Sequence, residues 1–155
     1  MDLLLWRHAH ALDATPGQSD MERPLSTKGE KQAQKMSAWL RLYLPKEAQI
    51  LCSPALRTTQ TLSYLKMPYF INEELVPESN AASLLRVTGW THEHAIPTLV
   101  VGHQPYLAET VSQLLGLTQS EVLSFRKGAV WWIRRRFRNH NLEHFVLTVQ
   151  DSELL

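Results

Sequence analysis

Leu3-Leu4-Leu5-Trp6-Arg7-His8 is an unbroken apolar run that ends in a guanidinium and an imidazole. A short run with no polar alternation is the pattern of a strand covered on both faces. The same pattern recurs downstream. Gln49-Ile50-Leu51-Cys52 is followed by Ser53-Pro54 and then Arg57, and Pro97 to Val101 is followed by Gly102-His103-Gln104-Pro105. Helical periodicity separates these runs. Ala33, Met36, Leu40 and Tyr43/Leu44 repeat at helical spacing after a capping box formed by Thr27 and Glu30, and Pro45 stops the helix. Ser53 is read as an N-cap with Pro54 in the first helical position, for a helix reaching about Leu65. Leu107, Val111, Leu114 and Leu115 share one face of a helix ended by Gly116.

The remaining segments fit between these units. Residues 9–24 are turn-rich and read as a loop, Tyr69-Phe70-Ile71 as a short third strand, and residues 79–89 as a further helix. Ala129–Arg136 and Glu143–Val149 read as consecutive strands, a hairpin turning around Asn139-His140-Asn141. Strands that alternate with helices predict a three-layer α/β/α sandwich with a mostly parallel central sheet. The 155 residues contain no repeat or low-complexity stretch, so residues 1–155 are expected to form one domain. A domain of this size buries about 68–70% of its unfolded surface.

Composition narrows the function classes. The apolar share is 44%, the charged share 20% and the net charge +1, which gives no overall attraction to nucleic acid or to an acidic membrane. No apolar run approaches the roughly 20 residues of a spanning helix. Met1-Asp2 precedes the first apolar run without a basic leader, so a signal peptide is not read there and a cytoplasmic protein is expected. The single cysteine, Cys52, is read as core.

The chemistry collects at three strand-to-helix junctions. One delivers Arg7 and His8, the second Ser53 and Arg57, the third His103. Ligands of open α/β sheets bind outside the carboxyl ends of the strands, where helix N-termini offer unpaired N–H groups. Two arginines and two histidines there suit a compact polyanion, with phosphate foremost, because the guanidinium fork matches its oxygens. A neutral imidazole is a competent nucleophile near physiological pH, and a second, protonated imidazole with two arginines would neutralise the transferring group without a metal.

Four segments carry a family resemblance. Leu5-Trp6-Arg7-His8-Ala9-His10-Ala11 resembles the Arg-His-Gly signature of the histidine phosphatase (phosphoglycerate mutase-like) superfamily. Arg23-Pro24-Leu25-Ser26-Thr27-Lys28-Gly29, Ser53-Pro54-Ala55-Leu56-Arg57-Thr58-Thr59-Gln60-Thr61 and Val101-Gly102-His103-Gln104-Pro105 resemble its later segments, in the family's order. Short length and the stretch Phe125-Arg126-Lys127-Gly128-Ala129-Val130 are similar to the SixA-type phosphohistidine phosphatases. The resemblance implies a phosphoglycerate mutase-like fold and a phosphatase without metal or cofactor. It implies His8 as the phosphate-accepting nucleophile, Arg7 and Arg57 as clamps on the phosphoryl oxygens, and His103 as stabiliser of the transferring group. Its implied partner is a phosphorylated protein carrying phosphohistidine, with no nucleic acid or membrane partner, and the protein is expected to be a monomer or weak dimer.

The chain departs from the pattern at Ala9, where the family has glycine, and at Thr58, where it often has alanine. Glu78 and His10 are the candidate proton donors, although a phosphohistidine substrate, with an imidazole leaving group, has little need of one. Alternatives stay open at this level: a phosphatase of small sugar or nucleotide phosphates, or a non-catalytic phosphate-binding regulatory module. His8-x-His10 is also a possible zinc pair lacking a third ligand at recognisable spacing. Asn80, Gln104 and Lys127 are candidate pocket-lining residues. The run Arg134-Arg135-Arg136-Phe137-Arg138 reads either as a solvated strand edge or as an electrostatic patch for a partner.

Overall fold

The computed structural model describes residues 1–92, 95–118, 123–138 and 141–155. Six strands lie in one sheet among them: β1 (Asp2–Arg7), β2 (Gln49–Cys52), β3 (Phe70–Ile71), β4 (Thr98–Gly102), β5 (Val130–Arg138) and β6 (Asn141–Gln150). Their order is β3-β2-β4-β1-β5-β6. The first four are mutually parallel, whereas β5 runs antiparallel to β1 and β6 antiparallel to β5. The helices are α1 (Thr27–Tyr43), α2 (Leu56–Ser63), α3 (Ala81–Val87) and α4 (Tyr106–Leu115). The turn residues 139–140 of the expected hairpin lie outside the described residues.

The three-layer reading holds, and β1 shows why. Leu4 and Trp6 pack with Met36 and Leu40 of α1 and Leu62 of α2. Leu3 and Leu5 pack on the opposite face with Leu84 and Leu85 of α3 and Leu107 and Val111 of α4. Alternate residues of one strand thus enter two cores, which explains a run with no polar positions.

Element boundaries differ from expectation at the helix caps. The N-cap of α1 is Ser26, whose hydroxyl accepts from Gly29 N–H at 3.1 Å, one residue before the expected Thr27–Glu30 box. Ser53 does not cap α2: that helix starts at Leu56 after Ala55, without a side-chain cap, and ends at Ser63. The loop 9–24 contains a short 3-10 helix, Asp20–Glu22, and a bridge between Ala11 and Leu25 closes it onto α1.

The arginine run differs most from expectation. β5 is no edge strand: β6 covers it throughout, and β1 covers it as far as Arg134. Arg135 is buried, on the same face as Ile133, while Phe137, beyond the end of β1, is 75% exposed.

Candidate functional site

All three junctions open at the same end of the sheet because β1, β2 and β4 are parallel neighbours. Backbone bonds fix their tips against one another: His8 N–H donates to Gly102 C=O at 3.0 Å, and Ser53 N–H to Val101 C=O at 3.0 Å. Gly128 N–H, in a turn with φ +80° that glycine tolerates, reaches the Arg7 and His8 carbonyls. That turn holds Lys127 close enough for its charge to act on both His8 and His10.

Each expected residue has a definite environment. His8 Nδ1 lies 2.7 Å from Ala9 C=O. A carbonyl only accepts, so Nδ1 carries the proton and Nε2 keeps its lone pair. Burial, together with the Arg57 and Arg7 charges, lowers the His8 pKa to about 3 against an opposing Ala9 bond, so the ring is neutral at physiological pH. The His103 ring lies 5.2 Å from His8, centroid to centroid, with Nε2 2.8 Å from Ser53 Oγ. Its pKa falls to about 2 through burial first, then the neighbouring His8 and Arg57. The protonated second histidine expected at the transferring group concerns the phosphate-bound site; in the free protein burial, with His8 and Arg57 beside it, keeps the His103 ring neutral.

The arginines are held from opposite sides. Arg7 Nη1 donates to Gln104 Oε1 at 3.0 Å and to the Phe125 carbonyl. Arg57 is 4% exposed and donates from Nη1 to Asp20 C=O at 2.7 Å and from Nη2 to Asp20 Oδ2 at 2.8 Å. Hydrogen bonds from Arg23 and then Arg57 hold the Asp20 carboxyl below its ordinary range. Three of the six buried side-chain polar atoms without a partner among the described residues belong here: Arg7 Nε, Arg57 Nε and His103 Nδ1. Buried polar groups are nearly always satisfied, so three orphaned nitrogens around one neutral, nucleophile-bearing imidazole suit a tetrahedral oxyanion.

The other candidates separate. Gln104 and Lys127 join the site, but Asn80 instead caps α3 through Ser83 N–H at 3.0 Å. Glu78 is exposed on the turn before α3, and no described hydrogen bond or ion pair ties it to His8 or the arginines. His10 turns away from His8: its Nδ1 lies 2.7 Å from Ser26 Oγ, and it borders a cavity of about 270 Å³ with Lys28, Arg126 and Lys127. The two departures from the family pattern have local reasons. The Ala9 methyl packs with Leu25 and Ala33, and Thr58 Oγ1 donates to the Ser53 carbonyl at 2.9 Å, bracing the turn before α2. Cys52 is core, its thiol pushed up to about 12 by burial.

Two members of the site have roles that their sequence signals do not show: Ser53, placed at the second junction, reads as a helix cap, and Asp20 lies in a turn-rich loop. The Asp20-x-x-Arg23 spacing was the available signal, since the two side chains pair at 2.9 Å.

Comparison with known proteins agrees with this geometry. The family model for the histidine phosphatase superfamily (branch 1) matches residues 3–77. An uncharacterized protein of Mycobacterium tuberculosis is 33% identical over 99 residues, 62% of this chain and 62% of its own length, so the match spans less than two thirds of that relative. The phosphohistidine phosphatase SixA of Escherichia coli is 31% identical over 124 residues, 74% of each chain. A solved structure of the protein histidine phosphatase SixA complexed with tungstate superposes with a TM-score of 0.78 at 25% identity, covering 99% of both chains. With the four motifs in order on this sheet, the chain belongs to the histidine phosphatase superfamily and is of the SixA type.

Proposed function

We propose that this protein is a metal-independent phosphatase that takes a phosphoryl group onto His8 Nε2, and that its substrate is phosphohistidine in a signalling or phosphotransfer protein. The observation that carries the reading is the pairing of a proton-fixed, neutral His8 with three buried nitrogens that have no partner among the described residues. In the first step the His8 Nε2 lone pair forms a bond to phosphorus while the bond to the substrate's imidazole nitrogen breaks. The leaving imidazole keeps the electron pair and takes a proton from water. Arg7, Arg57 and His103 donate to the equatorial oxygens, where charge stabilisation matters most in phosphoryl transfer. In the second step water attacks phosphorus, the pair returns to His8 Nε2, and phosphate leaves with the proton balance met by solvent.

Support for the substrate comes from the relatives. The Escherichia coli relative is named a phosphohistidine phosphatase, and the structural neighbour holds tungstate, an oxyanion of phosphate geometry. Among the described residues no carboxyl group hydrogen-bonds or ion-pairs with His8, and Asp20 is engaged by two arginines, an arrangement that suits a good leaving group better than an alkoxide.

The test is phosphate release in the presence of EDTA from a phosphohistidine-bearing protein, from p-nitrophenyl phosphate and from a sugar phosphate, with His8→Ala as control. Release from phosphohistidine that EDTA leaves intact and His8→Ala abolishes is the expected result. Turnover of the small esters alone would move the substrate to that class. Equal turnover by His8→Ala would end the covalent mechanism.

A further inference from the structure

The two histidines of the site are both neutral, yet they are wired by different partners. A backbone carbonyl holds the proton of His8 on Nδ1 and frees Nε2. His103 instead meets a hydroxyl, Ser53 Oγ, at its Nε2, and its Nδ1 has no partner among the described residues. A hydroxyl can donate or accept, so the tautomer of His103 depends on where the single Ser53 proton goes.

The surroundings of Ser53 decide this. Its side chain is fully buried, and Ala55 N–H approaches the same oxygen at 3.4 Å as a donor. Among the described contacts of Ser53 Oγ, His103 Nε2 is the one able to accept its proton. If Nε2 were protonated instead, the buried hydroxyl would face two donors and have no acceptor, a costly arrangement. The main chain of Ser53 is fixed from both sides as well, by its N–H on Val101 C=O and by Thr58 Oγ1 on its own carbonyl.

We propose that Ser53 is a positioning residue: its hydroxyl donates to His103 Nε2, holds the ring in the Nδ1–H tautomer, and so keeps a neutral N–H donor ready for the bound oxyanion. The proposal rests on the reading of the site as an oxyanion pocket, and it deepens that reading by explaining how an uncharged His103 still donates. It also gives the serine of the Ser53-Pro54 turn a task other than helix capping. In the opposite tautomer, Nδ1 would present a lone pair to the anion and repel it.

Long-range proton–nitrogen correlation spectra of the full ¹⁵N-labelled chain at neutral pH test it directly, with the His103 signals assigned by their loss in His103→Gln. The wild-type spectrum is expected to show a protonated Nδ1 and an unprotonated Nε2. In Ser53→Ala that lock is lost and Nε2–H becomes populated, while affinity for inorganic phosphate falls about tenfold or more. Ser53→Thr, which keeps the hydroxyl, restores both. A wild-type ring protonated at Nε2 overturns the proposal, and so does an unchanged tautomer and unchanged phosphate affinity in Ser53→Ala. The wild-type spectrum decides the matter even if neither variant folds. An Nδ1–H ring that binds phosphate in a protein without phosphatase turnover would leave the role of Ser53 standing and refute the proposed activity instead.

Discussion

The molecule holds two groups of arginines, and they are built in opposite ways. Arg7 at the tip of β1 and Arg57 in the first turn of α2 each retain a buried Nε with no partner among the described residues, as does His103 at Nδ1. Along β5, by contrast, Arg134, Arg135 and Arg136 are matched: Arg134 forks onto Asp2 at 2.7 and 2.8 Å, Arg136 meets Glu143 at 3.0 Å, and Arg135 donates to the Trp90 and His92 carbonyls. By sequence the second group is the more conspicuous, with four arginines in five residues. Arginine density is therefore a poor guide to an anion site. Donor groups left unsatisfied by the fold are the better one, because burial makes each of them demand a partner.

The largest expected effect breaks that comparison directly. Arg57→Ala should lower kcat/KM by on the order of 10²–10³, the loss typical of removing one donor from a developing oxyanion. Arg57→Lys should recover little of it, since a point charge cannot replace the planar fork. Arg135→Ala should do the converse. It strands two backbone carbonyls and removes a guanidinium lying 5.1 Å over the Trp90 ring, so stability should fall by about 2–3 kcal/mol. Turnover per folded molecule should stay at the wild-type value. Thermal unfolding and steady-state kinetics on both variants check the pair. If Arg135→Ala lost activity at full stability, the two groups would not be functionally distinct.

That division was only partly legible in the sequence. The sheet and its site-bearing end were readable because parallel strands buried on both faces produce runs such as Leu3–Trp6, and the groups that follow each run must then converge. Ser53 was misread for a sound local reason: Ser-Pro before a helix is a good capping signal, and nothing in sequence order shows that the β4 tip brings His103 within 2.8 Å of it. Asp20 was missed because its partner Arg57 is 37 residues away. The neutral state of the free His103 has no sequence signal, because it depends first on burial and then on the charges that share the site, both properties of packing. Arg135 carries no sequence signal for its burial, because its acceptors are carbonyls of a segment after α3, and backbone atoms leave no mark in composition.

The neutral histidines give the next prediction, which sharpens the contrast between an unpaired site and a paired strand. His8 and His103 have folded-state pKa values of about 3 and about 2, whereas an unfolded chain protonates histidine near 6.5. Above that value neither histidine affects the folding balance. As pH falls through 6.5 the unfolded chain takes up protons that the native site refuses, so native stability declines, and the decline continues down to the folded pKa values. At pH 5 the penalty relative to pH 8 is about 2 kcal/mol for each histidine. Denaturant unfolding of wild type and His103→Gln across pH 5–8 should show the variant losing less stability on acidification, by about that amount. A wild-type slope unchanged by His103→Gln would mean that the folded ring takes up its proton over the same pH range as the unfolded chain.

The smallest expected effect belongs to Arg136. Its pair with Glu143 is 54% and 42% exposed, and its guanidinium lies 5.2 Å over the Phe145 ring. Exposed pairs of this kind contribute about 0.5–1 kcal/mol in sum, so Arg136→Ala should barely move the unfolding midpoint. The informative measurement is kinetic. A solvated, ion-paired ribbon predicts equal kcat/KM in variant and wild type on both a phosphohistidine protein and p-nitrophenyl phosphate. A patch that docks a protein substrate predicts a selective loss on the protein, growing at low salt where charge steering is strongest. Because Arg136 is already paired within the chain, a partner would have to displace Glu143 before gaining anything from it, and the first outcome is the one expected.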